Sequence, residues 1–133
     1  VEGNLELFLK KLSSAIADQS ENWSQLRIDG HTDARGNLAY NIKLSEQRAQ
    51  VVVDALLKAN LPGERVSAKG LGPTLPIDPG NTPEAHSRNR RVELTFFGVK
   101  DKESLISTIN QVKVEALGGA PLELKLKSLK QKK

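Results

Sequence analysis

A chain of 133 residues, 38% of them hydrophobic, suits one domain with a modest core. The absence of cysteine excludes disulfides and thiolate metal sites, and it fits any compartment, an oxidising one included. The net charge of +4 sits in the tail, where Lys125, Lys127, Lys130, Lys132 and Lys133 face Glu123 alone; with a near-neutral remainder, one Trp and one Tyr, nucleic-acid binding loses its electrostatic and stacking basis.

The chain opens at Val1 and holds no methionine, which points to a segment of a longer protein. No run is apolar and long enough to cross a bilayer. From about Asn4 to Asp18, apolar residues at Leu5, Phe8, Leu9, Leu12 and Ile16 predict one face of an amphipathic helix. Leu26 and Ile28 alternate with Arg27 and Asp29, the pattern of a strand with one buried face, and Gly30 lets the backbone pass close to a neighbour. Thr32 to Asn37 is turn chemistry. A long helix follows from about Asn37 to Asn60, with Leu38, Ile42, Ala49, Val52, Val53, Leu56 and Leu57 as its expected buried side. Asn60-Leu61-Pro62-Gly63 stops it.

Arg65 to Lys69 alternates again and predicts a second strand, followed by a long loop with Pro73, Pro76 and Pro79. Thr82-Pro83-Glu84 is a helix start, with a Thr cap and Pro in first position, leading a short helix to about Asn89. Arg91 to Phe97 sets Val92, Leu94 and Phe96 against Glu93 and Thr95, the plainest strand pattern in the chain. After Gly98 the composition changes. Residues 100–133 form an appendage: a helix over 101–114, a hinge at Gly118-Gly119-Ala120-Pro121, an alternating Leu122 to Leu126, and a solvated basic tail. The element order predicts an α+β sandwich, helices against a small mixed sheet.

The segment Leu26 to Arg48 carries charge that the fold does not require. Asp33 follows the strand and Arg48 lies inside the helix, so a strand–turn–helix unit can turn both toward one pocket suited to a zwitterion. Asn41, Leu44 and Arg48 stand at i, i+3 and i+7 and share a helix face. A guanidinium there can hold a carboxylate with two parallel donors. Each charge-assisted contact is worth about 1.5–3 kcal/mol net.

The stretch GHTDARGNLAYNIKLSEQRA, with Pro62, Arg65, Gly70, Gly72, Pro76 and Asn89-Arg90-Arg91-Val92-Glu93-Leu94 in order behind it, resembles the OmpA-like peptidoglycan-binding domain. Its turn is most similar to that of the peptidoglycan-associated lipoproteins. The resemblance covers roughly Leu5 to Val99 and places an OmpA-like βαβαβ domain at 1–99. It implies non-covalent binding of the cell-wall stem peptide through meso-diaminopimelate. Asp33 would pair with the ligand ammonium and Arg48 with its carboxylate. Asn41 and Leu44 would line the pocket, and Thr32 and Arg35 would sit at its rim. Arg90, the first arginine of the Asn-Arg-Arg motif, is either ligand-facing or structural. The family's domain begins with a strand and an acidic loop ahead of the first helix; here that strand is missing, and Leu122 to Leu126 is the candidate to replace it.

The implied role is a periplasmic wall anchor, without catalysis or cofactor, whose parent protein sits in the outer membrane or in an inner-membrane complex. Two rivals stand beside it. One is a scaffold of the same fold that assembles with envelope proteins or with itself and binds no ligand. The other is a metal-assisted hydrolase using His31, Asp33 and His86, which lacks a clear further ligand and any nucleophile–base pair.

Overall fold

The computed structural model describes residues 2–59, 61–117 and 123–126. In chain order the elements are α1 (Glu2–Asp18), β1 (Gln25–His31), α2 (Leu38–Lys58), a single 3-10 turn (Gly63–Arg65), β2 (Val66–Gly72), α3 (Pro83–Asn89), β3 (Val92–Phe97), α4 (Lys102–Leu117) and β4 (Glu123–Leu126). The strands form one four-stranded sheet in the order β2-β1-β3-β4. β1 runs parallel to β2 and antiparallel to β3, and β4 runs parallel to β3. The α+β architecture, with helices on a small mixed sheet, is the one expected from the alternation and helical spacing.

Local chemistry accounts for the element ends. Asn37 caps α2 by accepting a hydrogen bond from Tyr40 N at 2.9 Å, and Thr82 caps α3 by accepting from Ala85 N at 3.0 Å, with Pro83 in the first turn. Asp101 accepts from Ser104 N at 3.1 Å at the head of α4. α2 lies across β1 and β2, α1 packs beside α2, and α4 packs against α1. Phe8, Leu12, Ile16, Leu26, Leu94 and Phe96 are buried in one core, and the chain beyond Gly98 adds Val99, Leu105, Ile109 and Val112 to that same core. No helix among the described residues is long and apolar enough to cross a membrane.

Glu123–Leu126, within the segment expected to supply an extra strand, lies on the sheet with Glu123 opposite Glu93 and Leu126 opposite Phe96. Leu122, the expected hinge at Gly118–Pro121 and the final lysines lie outside the described residues.

Two expectations are corrected. The alternation in β1 and β3 assigned Asp29, Glu93 and Thr95 to an exposed face, yet Asp29 is 2% exposed, Glu93 1% and Thr95 0%. β1 and β3 are the two inner strands, and each buried acid is held by the arginine two residues before it in the chain: Arg27 Nε to Asp29 at 2.6 Å and Arg91 Nε to Glu93 at 2.7 Å. The second correction concerns α2. Leu38 is 56% exposed and Leu57 36%, whereas Asn41, Ser45, Ala49, Val53 and Leu56 are buried.

The reason lies under the helix. A Cβ at Gly30 would fall 2.1 Å from the Ser45 carbonyl oxygen, and one at Gly70 would fall 2.5 Å from the Ile42 carbonyl oxygen. α2 therefore rests with its backbone almost on the sheet where Gly30 and Gly70 pass beneath it, and the buried residues of its first half, Asn41, Ser45 and Ala49, are small or short and polar. Gly72, at φ +56°, donates its N–H to Ser45 Oγ at 2.9 Å and accepts from Thr32 N at 3.0 Å. This ties the C-terminal end of β1 to α2.

Candidate functional site

The site forms where β1 ends. Thr32 N is held by Gly72, and the turn that follows passes through Gly36 at φ +92°, a left-handed conformation that favours glycine. Asn41, one turn into α2, donates Nδ2 to the Arg35 carbonyl at 2.7 Å and closes the turn on the helix. Asp33 is thereby fixed and buried in the crook. Its Oδ1 accepts from Arg35 N at 3.0 Å and Arg35 Nε at 3.0 Å. Its Oδ2 accepts from an Arg35 terminal nitrogen at 2.8 Å and from Arg90 at 2.9 Å. The Arg35 guanidinium, with help from Arg90, holds the Asp33 carboxyl well below the usual carboxylate range against the opposing effect of burial. Thr32 Oγ1 donates to the Asp33 carbonyl at 3.0 Å.

Beside this cluster runs a groove of about 550 Å³ between α1, α2 and the start of β3. Leu9, Leu12, Val51, Val52 and Leu94 give it apolar walls, and Arg48 and Arg90 both line it. Arg48 is exposed and forms no ion pair among the described residues. Arg90 thus spans two settings: it binds Asp33 and faces the groove that Arg48 also faces. The expected residues accordingly divide into groups. Thr32, Asp33, Arg35, Asn41 and Arg90 form one bonded cluster, and Arg48 joins it through the groove. Asp33 itself does not line that groove, and Leu44 is half-buried on α2 with no polar contact of its own.

Of the two adjacent arginines, Arg91 is the structural one. Its side chain is only 7% exposed, and besides Glu93 it donates to the Asn89 carbonyl at 3.1 Å and the Leu75 carbonyl at 2.8 Å. Asn89 in turn accepts from Ile77 N at 2.8 Å and Asp78 N at 3.0 Å. Together they lock the proline-rich loop and the end of α3, and so set where Arg90 begins. Sequence reasoning did not single out Asn89 as a loop anchor; an amide side chain at the end of a short helix, just before two arginines, was the available signal. His31 Nε2 lies 3.1 Å from Glu93 Oε1, and burial, followed by the Arg91 charge, pushes the His31 ring below its ordinary value, leaving it neutral. Among the described residues no three His, Asp or Glu side chains converge as metal ligands, so His31, Asp33 and His86 are not brought together.

Residues 5–90 match the OmpA family. The chain is 41% identical over 71 residues to the peptidoglycan-binding protein ArfA of Mycobacterium tuberculosis, an alignment covering 53% of this chain and 22% of that protein. It is 38% identical over 103 residues to outer membrane protein A of Salmonella typhi, covering 70% of this chain and 29% of that protein. The chain therefore spans less than a third of the length of either relative. Among solved structures, the peptidoglycan-associated lipoprotein from Burkholderia pseudomallei superposes with a TM-score of 0.61 at 27% identity, over 66% of this chain and 73% of that one. The family match over most of the folded chain, the βαβαβ order and the shared architecture lead to one statement: the chain belongs to the OmpA family.

Proposed function

We propose that this domain binds peptidoglycan non-covalently through the diaminopimelate residue of the stem peptide and ties an envelope protein to the cell wall. It would work by binding rather than by catalysis, on the periplasmic side of the outer membrane or of an inner-membrane complex. The observation that carries the reading is Arg90, which holds Asp33 while facing the groove lined by Arg48. One carboxylate and two guanidiniums beside an apolar wall match an amino-acid head group on an aliphatic stem. In this reading Asp33 takes the ligand ammonium, Arg48 and Arg90 take a carboxylate, and Leu44 covers the methylene chain. Asn41 lines the pocket beside Leu44, and Thr32 and Arg35 sit at its rim. The names of the relatives ArfA and peptidoglycan-associated lipoprotein support the same ligand class. A single stem peptide would be held with moderate affinity, and the many copies in a polymeric wall would supply the rest.

The test is retention on isolated sacculi. Asp33→Ala and Arg48→Ala are expected to lose retention at least tenfold, the scale of one charge-assisted contact, while the circular dichroism spectrum stays that of the parent. Retention of both variants at the parent level would refute the assignment. The scaffold reading draws on one observation: Asp33 already accepts four hydrogen bonds from the protein itself. Under it, a diaminopimelate-containing peptide produces neither heat nor chemical-shift change, and the domain self-associates or captures an envelope protein instead.

A further inference from the structure

We propose that the site selects ligands with two carboxylates for each ammonium, and that Arg35 is the residue that reads the second carboxylate. The inference rests on the peptidoglycan reading above and concerns which form of the stem peptide is accepted. It starts from the saturation of Asp33. A carboxylate offers about four acceptor positions, and Arg35 N, Arg35 Nε, an Arg35 terminal nitrogen and Arg90 take one each, at 2.8 to 3.0 Å. An incoming ammonium has no vacant place on Asp33. It must displace a guanidinium.

Arg35 is the one that leaves. Its side chain is 62% exposed against 41% for Arg90, and its backbone N–H keeps hold of Oδ1 after the guanidinium has swung away. The turn therefore stays closed while the charge is released. The guanidiniums of Arg35 and Arg90 then share a carboxylate that the ligand has claimed, and Arg48, which lines the groove with Arg90, forms no ion pair among the described residues. Three acids of the fold are already engaged. Glu93 is held by Arg91 at 2.7 Å, Asp78 by Arg88 at 2.6 Å and Asp29 by Arg27 at 2.6 Å. Anions that the ligand brings offset part of this positive charge. A diaminopimelate residue at the end of a stem peptide brings two carboxylates with one ammonium; converting one carboxylate to a primary amide leaves a zwitterion, with one fewer anion to set against these guanidiniums. Arg48 and Arg90 share the groove and take one carboxylate, and the displaced Arg35 takes the other.

The experiment is a calorimetric titration of the intact chain at low salt with two probes. Both are N-acetyl-alanyl-γ-isoglutaminyl-diaminopimelate, one with both diaminopimelate carboxylates free and one with a primary amide on the carboxylate remote from the amine. The free form is expected to bind about tenfold more tightly, the scale of one charge-assisted hydrogen bond in a half-exposed setting. Arg35→Gln should bring the ratio of the two affinities below about threefold, and Arg35→Lys should keep most of the preference. Equal affinity for the two probes, or an unchanged ratio in Arg35→Gln, overturns the charge selection while leaving wall binding intact. Failure of both probes to bind the parent chain overturns the wall-binding reading itself.

Discussion

Gly30→Ala tests the packing on which the site depends. The added methyl would sit 2.1 Å from the Ser45 carbonyl oxygen and 2.9 Å from its carbonyl carbon, and both are backbone atoms that no rotamer change can move. Restoring van der Waals separation requires α2 to back away from β1 by about 1 Å. The helix is also seated on Gly70 and Gly72, so it must lift as a unit and loosen Ala49, Val53 and Leu56 on the same stripe. Overpacking of this kind costs about 3 kcal/mol, which lowers the melting temperature of a domain this size by roughly 10–15 °C. Thermal unfolding followed by circular dichroism reads it directly. Gly63→Ala is the control, because a Cβ there meets nothing nearer than Leu57 Cδ2 at 3.9 Å. A Gly30→Ala melting temperature within about 3 °C of the parent, less than 1 kcal/mol, would show that α2 does not rest on the sheet as described, and the seating of Asn41 and Arg48 would lose its basis.

Two further outcomes follow from other parts of the fold. The His31 ring is neutral in the folded chain and takes a proton more readily in the unfolded one, so the unfolded state binds more protons below the ordinary histidine value. Stability should then fall as pH drops from 7 to 5, by at most about 1.4 kcal/mol per pH unit from this ring, and His31→Gln should remove that part of the slope in urea titrations; an unaltered slope would refute it. Arg65 stacks its guanidinium 3.8 Å from the Trp23 ring centre and donates to the carbonyls of Ser20, Trp23 and Ser24. Arg65→Lys should cost about 2 kcal/mol in urea unfolding and shift the Trp23 emission; a loss under about 0.5 kcal/mol would mean water serves those carbonyls equally well.

Much of the frame was readable because each signal was local. Asn37 and Thr82 as caps, Pro83 in the first turn and the alternation of Val92, Leu94 and Phe96 act within a few residues of themselves, and each element appears where it was expected. The charged turn was readable for the same reason, since Thr32, Asp33, Arg35 and Asn41 bond to one another across short sequence distances. What escaped was set by distant partners. The inner stripe of α2 was assigned by hydrophobicity, but Gly30 and Gly70 arrive from two strands against the backbone of Ser45 and Ile42 and set the helix down on Asn41 and Ser45 rather than on Leu38. The burial of Asp29 and Glu93 depends on their strands being the inner two of four, which no window of sequence states. The competition of Arg35 and Arg90 for Asp33 joins residues 57 apart in the chain.

The buried acids have an effect on how the sheet can assemble. Asp29 faces Glu93 directly across the β1–β3 pair, with Thr95 donating to Asp29 at 2.9 Å from the next position on that face. Sliding β3 by one residue would turn Glu93 toward the apolar face that holds Ile28 and point Leu94 at the face that holds Asp29. A slip by an odd number of residues thus leaves a charge among apolar side chains. The polar rungs act as a key cut for a single alignment of these two strands.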